Sequence, residues 1–261
     1  MRSGPGGSPE LIRVRNLRGG YGKLLVLENV SMEVLEGEIL LIVGRSGCGK
    51  TTLMNYLLGL ARPWAGQILY RGSPLVFDGP SSLTAVRRRW GVLFQSGALL
   101  ASLSLLENVA LPLTEFTELD ASEADLVAMS KLALVGLEEF ADSLPLEVSG
   151  GMQKRAGLAR ALAMDPDVLF FDEPSAGLDP VTSGELDELI RRLNGDLGTT
   201  MVIVTHELAS IFAVSDRVIM LDAEEKGIIA EGTAHQLRDS TGDERVSAFF
   251  NRRPVAGGAA R

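Results

Sequence analysis

Residues 39–51 join a short apolar run to a glycine-rich segment, and this pairing restricts the local fold more than any other part of the chain. Residues 39–43 read Ile-Leu-Leu-Ile-Val, and residues 44–51 read Gly-Arg-Ser-Gly-Cys-Gly-Lys-Thr. An apolar run followed by G-x-x-x-x-G-K-T predicts a buried strand, a phosphate-binding loop and a helix that begins near Lys50. The alternative, a glycine turn before an ordinary helix, requires the run, the spacing, the lysine and the threonine to coincide by chance. The segment therefore predicts that the chain binds a nucleoside triphosphate.

The loop residues have separate expected roles. Its glycines permit main-chain conformations that a Cβ atom disfavours, so that loop N–H groups can surround phosphate oxygens. Lys50 is expected to contact the β- and γ-phosphates, and the Thr51 hydroxyl is expected to bind Mg²⁺. Cys48, beside a helix N-terminus, is expected to have a lowered thiol pKa. The predicted phosphate-binding set is Gly44, Arg45, Ser46, Gly47, Cys48, Gly49, Lys50, Thr51 and Thr52.

The composition limits the compartment and the partners. A chain of 261 residues with 46% hydrophobic content can bury a sizeable core without disulfides or metals. One cysteine excludes an internal disulfide and suits a reducing compartment. The net charge of −9 argues against a nucleic-acid partner, because proteins that bind nucleic acid carry a basic surface. The one dense basic cluster, residues 87–89, fits either a solvated helix end or a contact with a partner protein or lipid headgroups.

The sequence predicts neither a membrane span nor a signal peptide. The most apolar region, residues 99–113, is interrupted by polar residues and by Pro112, and it falls short of the roughly 20 apolar residues that a spanning helix needs. The N-terminus lacks the charged and apolar regions of a secretory signal. We therefore expect a cytoplasmic chain that contacts a membrane only through other subunits.

The order of the predicted elements indicates an α/β fold. Strands are expected at 11–17, in a pair over 24–34, and at 39–43, 66–71, 75–77, 91–94, 168–171, 201–205 and 217–221. Helices are expected at 83–89, from 151 to 164, at 181–193 and from 207. Strands that alternate with helices favour a largely parallel sheet with right-handed crossovers. We expect a disordered segment at 1–9, a nucleotide-binding core over 10–95 and 160–240, a helical subdomain over 96–159 and a C-terminal extension over 241–261.

The segment inserted between the predicted core regions has helical periodicity. Apolar residues recur at helical spacing at Leu105 and Val109, and again at Leu126, Met129, Leu132 and Ala133. Each series predicts an amphipathic helix. The second helix is expected to begin at residue 122, because a serine followed three residues later by an aspartate fits an N-cap with a capping box.

A second apolar run ends in two carboxylates. Residues 168–171 read Val-Leu-Phe-Phe and are followed by Asp172 and Glu173. Ligands of α/β sheets bind at the carboxyl ends of strands, where these side chains are expected to lie. Asp172 is expected to hold Mg²⁺, directly or through a water molecule, and Glu173 is expected to act as general base for an attacking water. The pattern is weak by itself and gains its weight from the phosphate loop in the same chain.

Residues 148–153 carry the most specific motif. They read Val-Ser-Gly-Gly-Met-Gln, which is similar to the Leu-Ser-Gly-Gly-Gln signature of ATP-binding-cassette (ABC) transporters. Over about residues 10–235 the chain resembles the nucleotide-binding subunit of that family, which implies an ABC cassette as its fold. The other interpretation of Ser149, an N-cap of the following helix, is compatible with phosphate binding at the helix N-terminus. The resemblance implies nucleotide contacts from Ser149, Gly150 and Gly151.

The same resemblance implies roles at further positions. Tyr21 matches the aromatic residue that stacks on adenine, and Gln95 matches the Q-loop glutamine that binds Mg²⁺ and water and senses the membrane partner. Residues 175–179 match the D-loop at the dimer seam, and His206 matches the switch histidine that contacts the γ-phosphate. The implied catalytic residues are Glu173, His206, Lys50 and Gln95, and the implied Mg²⁺ ligands are Thr51, Gln95 and Asp172.

The resemblance also implies partners. In this family the phosphate loop of one subunit and the signature of a second subunit complete one site, so a head-to-tail homodimer that closes on ATP is expected. ATP and Mg²⁺ are the expected ligands. ATP hydrolysis is expected to drive an integral membrane permease, with this chain as a peripheral subunit at the cytoplasmic face of the inner membrane.

Three segments are similar to the lipid-transporting branch of the family. Residues 95–99 read Gln-Ser-Gly-Ala-Leu, residues 107–113 read Glu-Asn-Val-Ala-Leu-Pro-Leu, and Met152 stands where the signature usually has glutamine. Together with residues 245–252 they resemble the ATPases of the Mla (maintenance of lipid asymmetry) system and of related MCE-protein transporters. This implies phospholipid as cargo, and an MCE-domain protein and a small accessory subunit as further partners.

Several alternatives stay open at this point. The leucines of 99–105 form either a groove for a permease helix or part of the subdomain core, and the apolar face of 246–250 packs either on its own domain or on a neighbouring subunit. A soluble ABC protein acting on ribosomes or DNA carries two cassettes or a long coiled-coil or zinc insertion, which are not found in this sequence. A phosphate-loop kinase lacks the Ser-Gly-Gly signature. An ABC importer or exporter of another small substrate is the alternative to lipid transport, because substrate choice lies mostly in other subunits.

Overall fold

The computed structural model describes residues 9–77 and 80–254. They form two compact units, one of residues 9–77 and 202–254 and one of residues 80–201. The described strands are β1 (Glu10–Tyr21), β2 (Leu24–Leu35), β3 (Ile39–Val43), β4 (Ala65–Tyr70), β5 (Ser73–Pro74), β6 (Trp90–Leu93), β7 (Val168–Asp172), β8 (Thr200–Val204), β9 (Arg217–Asp222) and β10 (Gly227–Gly232). The described helices are α1 (Lys50–Leu57), α2 (Pro80–Arg87), α3 (Leu105–Phe116), α4 (Ala121–Leu134), α5 (Gly150–Leu162), α6 (Pro180–Leu197), α7 (Leu208–Val214), α8 (Ala234–Arg238) and α9 (Glu244–Phe250). The disorder expected at 1–9 falls outside the described residues apart from Pro9.

The first unit contains an antiparallel sheet and a second sheet that leads into the phosphate-binding segment. The antiparallel sheet has the order β2-β1-β4-β5. In the second sheet β3 pairs in parallel with β9, and β9 pairs antiparallel with β10. All of β3 is buried, as the apolar run predicts for a strand covered on both faces.

Two strand predictions in the first unit were wrong in detail. The strand pair expected over 24–34 is the single strand β2, which pairs with β1 along its length through several register shifts. The strand expected at 75–77 lies instead at Ser73–Pro74, because the turn at Gly72 starts the pairing with β4 earlier. Leu75 still donates its N–H to the carbonyl of Ile68 in β4 at 2.8 Å, but the regular pairing does not continue through residues 75–77.

Ion pairs join the separate segments of the first unit. Arg217 of β9 donates to the buried carboxylate of Glu38 at 2.6 Å. Arg245 at the start of α9 donates to Asp222 at the end of β9 at 3.0 Å and to Asp243 at 2.8 Å. These contacts attach the C-terminal helix to the strand that pairs with β3.

The apolar face of α9 also packs on its own unit. Val246 and Phe250 are buried, and the Phe250 ring meets the Phe212 ring of α7 edge-on with centroids 6.1 Å apart. Of the two alternatives that the sequence left open, packing on its own domain is therefore the one found for Val246 and Phe250.

The second unit combines strands β6 and β7, which pair in parallel, with the helices α3, α4 and α5. Gly91 of β6 approaches α5 so closely that a Cβ atom there would lie 2.2 Å from the carbonyl oxygen of Ala161. The glycine therefore sets the distance between strand and helix. Within the described residues, no helix has both the length and the apolar character needed to cross a bilayer.

Helix α4 begins at a different cap from the one expected. Asp120 is the N-cap and forms a reciprocal capping box with Glu123, so the prediction of Ser122 with Asp125 was wrong. Both pairs have the same spacing, and an aspartate is as good an N-cap as a serine. The sequence pattern alone did not distinguish the two starting points.

The packed face of α4 also differs from the one that its large residues indicated. Ala124, Ala128 and Leu132 are buried, whereas Leu126 is 71% exposed and Met129 is exposed as well. Of the predicted face only Leu132 is buried. The alanines beside it let neighbouring helices approach closely, while Leu126 and Met129 are left on the outside of the helix.

The segment before α3 is held by side chains that the lipid-branch motif contains. Ser104 and Glu107 form a reciprocal capping box at the start of α3. Asn108 is fully buried, and its amide accepts from the N–H of Leu100 at 2.7 Å and donates to the carbonyls of Leu100, Leu103 and Ser104 at 3.0, 3.1 and 2.9 Å. The motif residues therefore have a structural role, which is to fold residues 100–104 onto α3.

The leucines of residues 99–105 were expected either to form a groove for a permease helix or to pack in the subdomain core, and they do not all behave alike. Leu105 is fully buried and belongs to the subdomain core, whereas Leu100 is exposed. Leu99 and Leu103 are half-buried. A groove lined by all four side chains is therefore not found.

Replacement of Asn108 by alanine should destabilise the second unit strongly. The change leaves buried main-chain groups without their hydrogen-bond partner, which is expected to lower the free energy of unfolding by about 3 kcal/mol. Urea denaturation followed by circular dichroism measures it. Asn251→Ala is the control, because the Asn251 amide also donates to two carbonyls, those of Arg238 and Ser247, but lies at a half-exposed position. An equal loss for the two variants would contradict the role given to Asn108.

Candidate nucleotide-binding site

The segment between β3 and α1 is a loop that depends on glycine. Gly44, Gly47 and Gly49 have φ angles of 145°, 80° and 102°, a region that residues with a Cβ atom rarely enter. Gly44 is also tightly packed, since a Cβ atom there would lie 2.4 Å from the carbonyl oxygen of Leu221 and 2.6 Å from the sulfur of Cys48. The main-chain conformations predicted for these glycines are therefore present.

The first turn of α1 and Lys50 complete the loop. The N-cap residue, Gly49, leaves the first N–H groups of the helix without a side-chain cap. The buried Lys50 ammonium donates to the carbonyl of Gly44 at 2.9 Å and to that of Arg45 at 3.2 Å. Arg45 and Ser46 are exposed at the loop tip. A phosphate bound at this loop would meet a positive charge and a helix N-terminus together.

Cys48 differs from its prediction. Its side chain is only 1% exposed. Burial raises the pKa of the Cys48 thiol above its ordinary value, and the nearby charge of Lys50 offsets only part of this. The lowered thiol pKa expected from the helix N-terminus was therefore wrong, because the sulfur is buried against the main chain at Gly44. Its N–H donates to the carbonyl of Arg45 at 3.3 Å and so serves the loop itself.

The two threonines after Lys50 have different surroundings. Thr51 is exposed, whereas Thr52 is buried and its hydroxyl donates to the phenol oxygen of Tyr21 at 3.2 Å. Tyr21 is the last residue of β1 and is 55% exposed, so its ring is accessible to a planar ligand. The hydrogen bond places the expected adenine-stacking residue beside the first turn of α1.

His206 lies at the same sheet edge as the phosphate loop. It follows β8 directly and is exposed. The N–H of Thr205 donates to the carbonyl of Ile42 in β3 at 3.3 Å, so β8 ends beside the strand that leads into the loop. Within the first unit, the structure therefore brings together the loop, Tyr21 and His206.

The two carboxylates of the second unit lie at the carboxyl end of β7. Asp172 is the last residue of the strand, and Glu173 follows with a φ angle of 48°. Both are half-buried. A non-glycine residue at positive φ is strained by about 1–3 kcal/mol, and such strain is concentrated at functional sites. The conformation of Glu173 therefore adds an independent observation to its sequence motif.

The signature residues begin helix α5. Ser149 is the N-cap, and its hydroxyl accepts from the N–H of Met152 at 3.3 Å. Ser149 and Gly150 are exposed, whereas Gly151 is buried where α5 meets α6. A Cβ atom at Gly151 would lie 2.4 Å from a methyl group of Thr182. Ser149 therefore caps the helix and is also exposed to solvent, so the two interpretations of this residue are compatible, as expected.

The D-loop ends at the N-cap of α6. The Asp179 carboxylate accepts from the N–H groups of Val181 and Thr182 at 3.0 and 3.1 Å and from the Thr182 hydroxyl at 2.5 Å. These hydrogen bonds, above all the one from the Thr182 hydroxyl, lower the pKa of Asp179. Asp179 therefore remains an anion at neutral pH and keeps the D-loop joined to α6.

Gln95 is exposed after β6, and the main chain of residues 95–98 contacts two cations that the sequence analysis missed. Lys154 of α5 is only 6% exposed and donates to the main-chain carbonyl of Gln95, while Arg160 of the same helix donates to the carbonyls of Gly97 and Ala98. Burial lowers the pKa of Lys154, and the charge of Asp172 acts in the opposite direction. The available signal was a pair of cations on a helix whose other buried residues are small or apolar.

Comparison with known proteins agrees with this geometry. The ABC transporter family profile matches residues 27–176. The chain is 41% identical to the intermembrane phospholipid transport system ATP-binding protein MlaF of Haemophilus influenzae, over 92% of this chain and 90% of the relative. It is also 41% identical to MlaF of Escherichia coli K12, over 92% of this chain and 88% of the relative. A probable ribonucleotide transport ATP-binding protein of Mycobacterium leprae is 41% identical over 80% of this chain and 60% of the relative.

Solved structures give the same fold. cbiO1 of Clostridium perfringens, part of an ABC transporter complex, has a TM-score of 0.79 and 28% identity, over 86% of this chain and 88% of that one. A dimeric ATP-binding cassette in a post-hydrolysis state with ADP and Pi has a TM-score of 0.75 and 31% identity, over 85% of this chain and 98% of that one. The chain belongs to the ABC transporter family, as an ATP-binding cassette. Within that family it is similar over nearly its whole length to the MlaF proteins.

Cys48 should be unreactive in the folded protein. The thiolate is the reactive form of cysteine, and a raised pKa together with burial leaves little accessible thiolate at neutral pH. A disulfide reagent such as dithionitrobenzoate should leave the native protein unmodified and titrate one thiol after denaturation. Rapid modification of the native protein at neutral pH would contradict the burial of the sulfur.

Proposed function

We propose that this chain binds and hydrolyses ATP as the nucleotide-binding subunit of an ABC transporter and drives an integral membrane permease. The phosphate loop is the main observation behind this proposal. Its glycines have positive φ angles, the Lys50 ammonium lies against the loop carbonyl of Gly44, and the uncapped N-terminus of α1 follows directly. The Ser-Gly-Gly motif at the start of α5 supports a transporter cassette over a small-molecule kinase. Lys50 contacts the β- and γ-phosphates, and Tyr21 stacks on adenine.

The residues expected to bind Mg²⁺ have suitable chemistry. Thr51, Gln95 and Asp172 offer hydroxyl, amide and carboxylate oxygens, which are the hard donors that this cation prefers. In the described part of the chain, no three acidic, histidine or cysteine side chains group into a metal site. We propose a cation held jointly by these protein oxygens and the phosphates of the nucleotide. When bound, Mg²⁺ supplies charge neutralisation for the transferred phosphoryl group.

Hydrolysis depends on residues that position and activate water. Glu173 accepts a proton from the attacking water, and its place directly after β7 supports this role, because ligands of α/β sheets bind at the carboxyl ends of strands. Gln95 orients that water, and His206 contacts the γ-phosphate. Lys50 stabilises the charge that develops on the phosphoryl oxygens.

We also propose that each ATP is bound between two copies of the chain, with Ser149 of the second copy contacting the γ-phosphate. Apolar side chains close to the signature and the D-loop in sequence support a protein partner there, since Leu146 is 84% exposed and Val181 is 72% exposed. ATP binding then closes the dimer, and loss of the γ-phosphate opens it.

We propose phospholipid as the transported substrate, with an MCE-domain protein and a small accessory subunit as further partners, at the cytoplasmic face of the inner membrane. The 41% sequence identity to MlaF proteins, which extends over most of both chains, supports this substrate. Another small substrate is the second candidate, because the similar protein of Mycobacterium leprae is named for ribonucleotide transport. That similarity covers less of the relative, which favours the phospholipid assignment.

Glu173→Gln should separate binding from hydrolysis. Loss of the general base is expected to lower kcat about a hundredfold or more while ATP binding is kept, so that ATP traps a dimer. Size-exclusion chromatography with light scattering measures the dimer. Adding Ser149→Arg to this variant should abolish the ATP-dependent dimer but leave binding of a fluorescent ATP analogue intact. A double variant that still dimerises would contradict the shared site, and normal turnover by Glu173→Gln would remove Glu173 as the base.

The transport proposal predicts which partners are recovered with the protein. The tagged protein is purified from a detergent extract of the organism that expresses it. It should retain an integral membrane protein and bound phospholipid, and mass spectrometry identifies both. An unrelated tagged membrane protein, purified in the same way, measures how much phospholipid is carried by the detergent alone. Recovery of ribosomes or DNA would contradict a transporter subunit, and a permease that carries no phospholipid but stimulates ATPase activity with another solute would favour the second candidate.

A further inference from the structure

Residues 95–98 form a turn whose carbonyl groups need partners. The N–H of Gly97 donates to the carbonyl of Phe94 at 2.8 Å, and both Gly97 and Ala98 have positive φ angles, of 73° and 50°. A turn with two successive left-handed residues makes no regular ladder with a neighbouring strand. Its carbonyls therefore require donors from elsewhere in the fold.

Helix α5 supplies those donors. The Lys154 ammonium donates to the carbonyl of Gln95. The Arg160 guanidinium donates to the carbonyl of Ala98 at 2.8 Å through one nitrogen and to that of Gly97 at 2.9 Å through another. Hydrogen bonds from charged donors are stronger than neutral ones, so this turn is held at three points.

Gly157 lies between the two cations on the same helix. A Cβ atom there would lie 3.1 Å from the carbonyl oxygen of Gly97 and 2.8 Å from a methyl group of Leu93. Residues 154, 157 and 160 are three apart and share one side of a helix. The helix therefore meets the turn through a cation, a close main-chain approach and a second cation, and we refer to Lys154, Gly157 and Arg160 as the clamp.

The burial of these cations indicates that the clamp has a purpose beyond general stability. Lys154 is nearly fully buried and Arg160 is half-buried. Burying a charge is unfavourable unless it is well paired, and an apolar pair of similar size would fill this space at lower desolvation cost. The two cations add geometric specificity, because they fix the positions of three carbonyl groups of the turn, those of Gln95, Gly97 and Ala98.

We propose that the clamp is a positioning device that makes the main chain of the glutamine loop and the signature helix move as one body. The proposal rests on the function proposed above, in which Gln95 orients water and Ser149 contacts the γ-phosphate. Lys154 lies five residues after the N-cap Ser149 in sequence, which is about 8 Å along a rigid helix. A displacement of the loop is therefore transmitted to the signature serine, while the exposed Gln95 side chain stays free to turn.

The test compares Lys154→Met and Arg160→Leu with variants matched in chemistry. Lys131→Met removes another partly buried lysine of the second unit, which pairs with Asp165. Arg192→Leu removes another arginine that donates to a main-chain carbonyl, that of Leu134, at 3.2 Å. Neither control contacts the turn. Lys154→Arg keeps a charged donor at the clamp and serves as the rescue variant.

Two measurements are made on the full chain. Hydrogen exchange by mass spectrometry over residues 94–103 should rise in both clamp variants and stay unchanged in the two controls. In ATPase assays kcat should fall about tenfold or more in the clamp variants, with KM for ATP and binding of a fluorescent ATP analogue nearly unchanged, because the loss is one of positioning. Lys154→Arg should recover most of the lost kcat.

Each result separates the clamp from the function on which it rests. Unchanged exchange over residues 94–103 would overturn the clamp, whatever the activity. Raised exchange with wild-type kcat would overturn its positioning role. A wild-type protein that binds ATP but does not hydrolyse it would refute the proposed function, and the exchange comparison would still decide whether the clamp holds the turn. If Lys154→Met does not fold, Lys154→Gln, which keeps an N–H donor without the charge, takes its place in the same comparison.

Discussion

The close packing of Gly44 against strand β9 is the contact on which the phosphate loop depends. The Leu221 carbonyl occupies the space that a Cβ atom would need, so the chain can enter the loop only through a glycine at a φ angle of 145°. The neighbouring Asp222 accepts hydrogen bonds from the main chain of the following turn and from Arg245. The stretch of main chain that shapes the loop is thus also the one that holds the β9–β10 turn and the C-terminal helix.

Helix α5 has the corresponding position in the second unit. Its N-terminus carries Ser149, its middle approaches the turn after β6 through Gly157, and its C-terminal part touches Gly91 of β6 through the carbonyl of Ala161. Small residues at these points bring main chain against main chain, and charged side chains then fix the register of the contact. The same helix therefore carries the signature serine and contacts both β6 and the turn that follows it. The strained Glu173 lies at the end of β7, the strand that pairs with β6.

Local motifs were predicted well, because a short stretch of chain specifies them. Residues 39–51 gave the strand, the left-handed glycines and the start of α1, and the signature gave the start of α5. The errors arose where two local solutions have similar energy. Asp120 and Ser122 are equivalent caps by spacing, and of the large apolar residues that predicted the packed face of α4, Leu132 is buried whereas Leu126 and Met129 are exposed. Cys48 belongs to the same class, because the direction of a side chain from a loop depends on what packs behind it.

From its order of residues alone, this chain determined the chemistry that it can perform: a glycine loop with lysine and threonine, an aspartate and a glutamate after an apolar run, and a capped Ser-Gly-Gly helix. Those properties follow from bonding within a few neighbouring residues. Only the tertiary structure decided which groups lose contact with water. It buried the Cys48 thiol and raised its pKa, and it brought Lys154 and Arg160 to carbonyls about 60 residues away in sequence. Burial and long-range pairing depend on how distant segments pack together. A local stretch of sequence therefore does not reveal the free energies that they control.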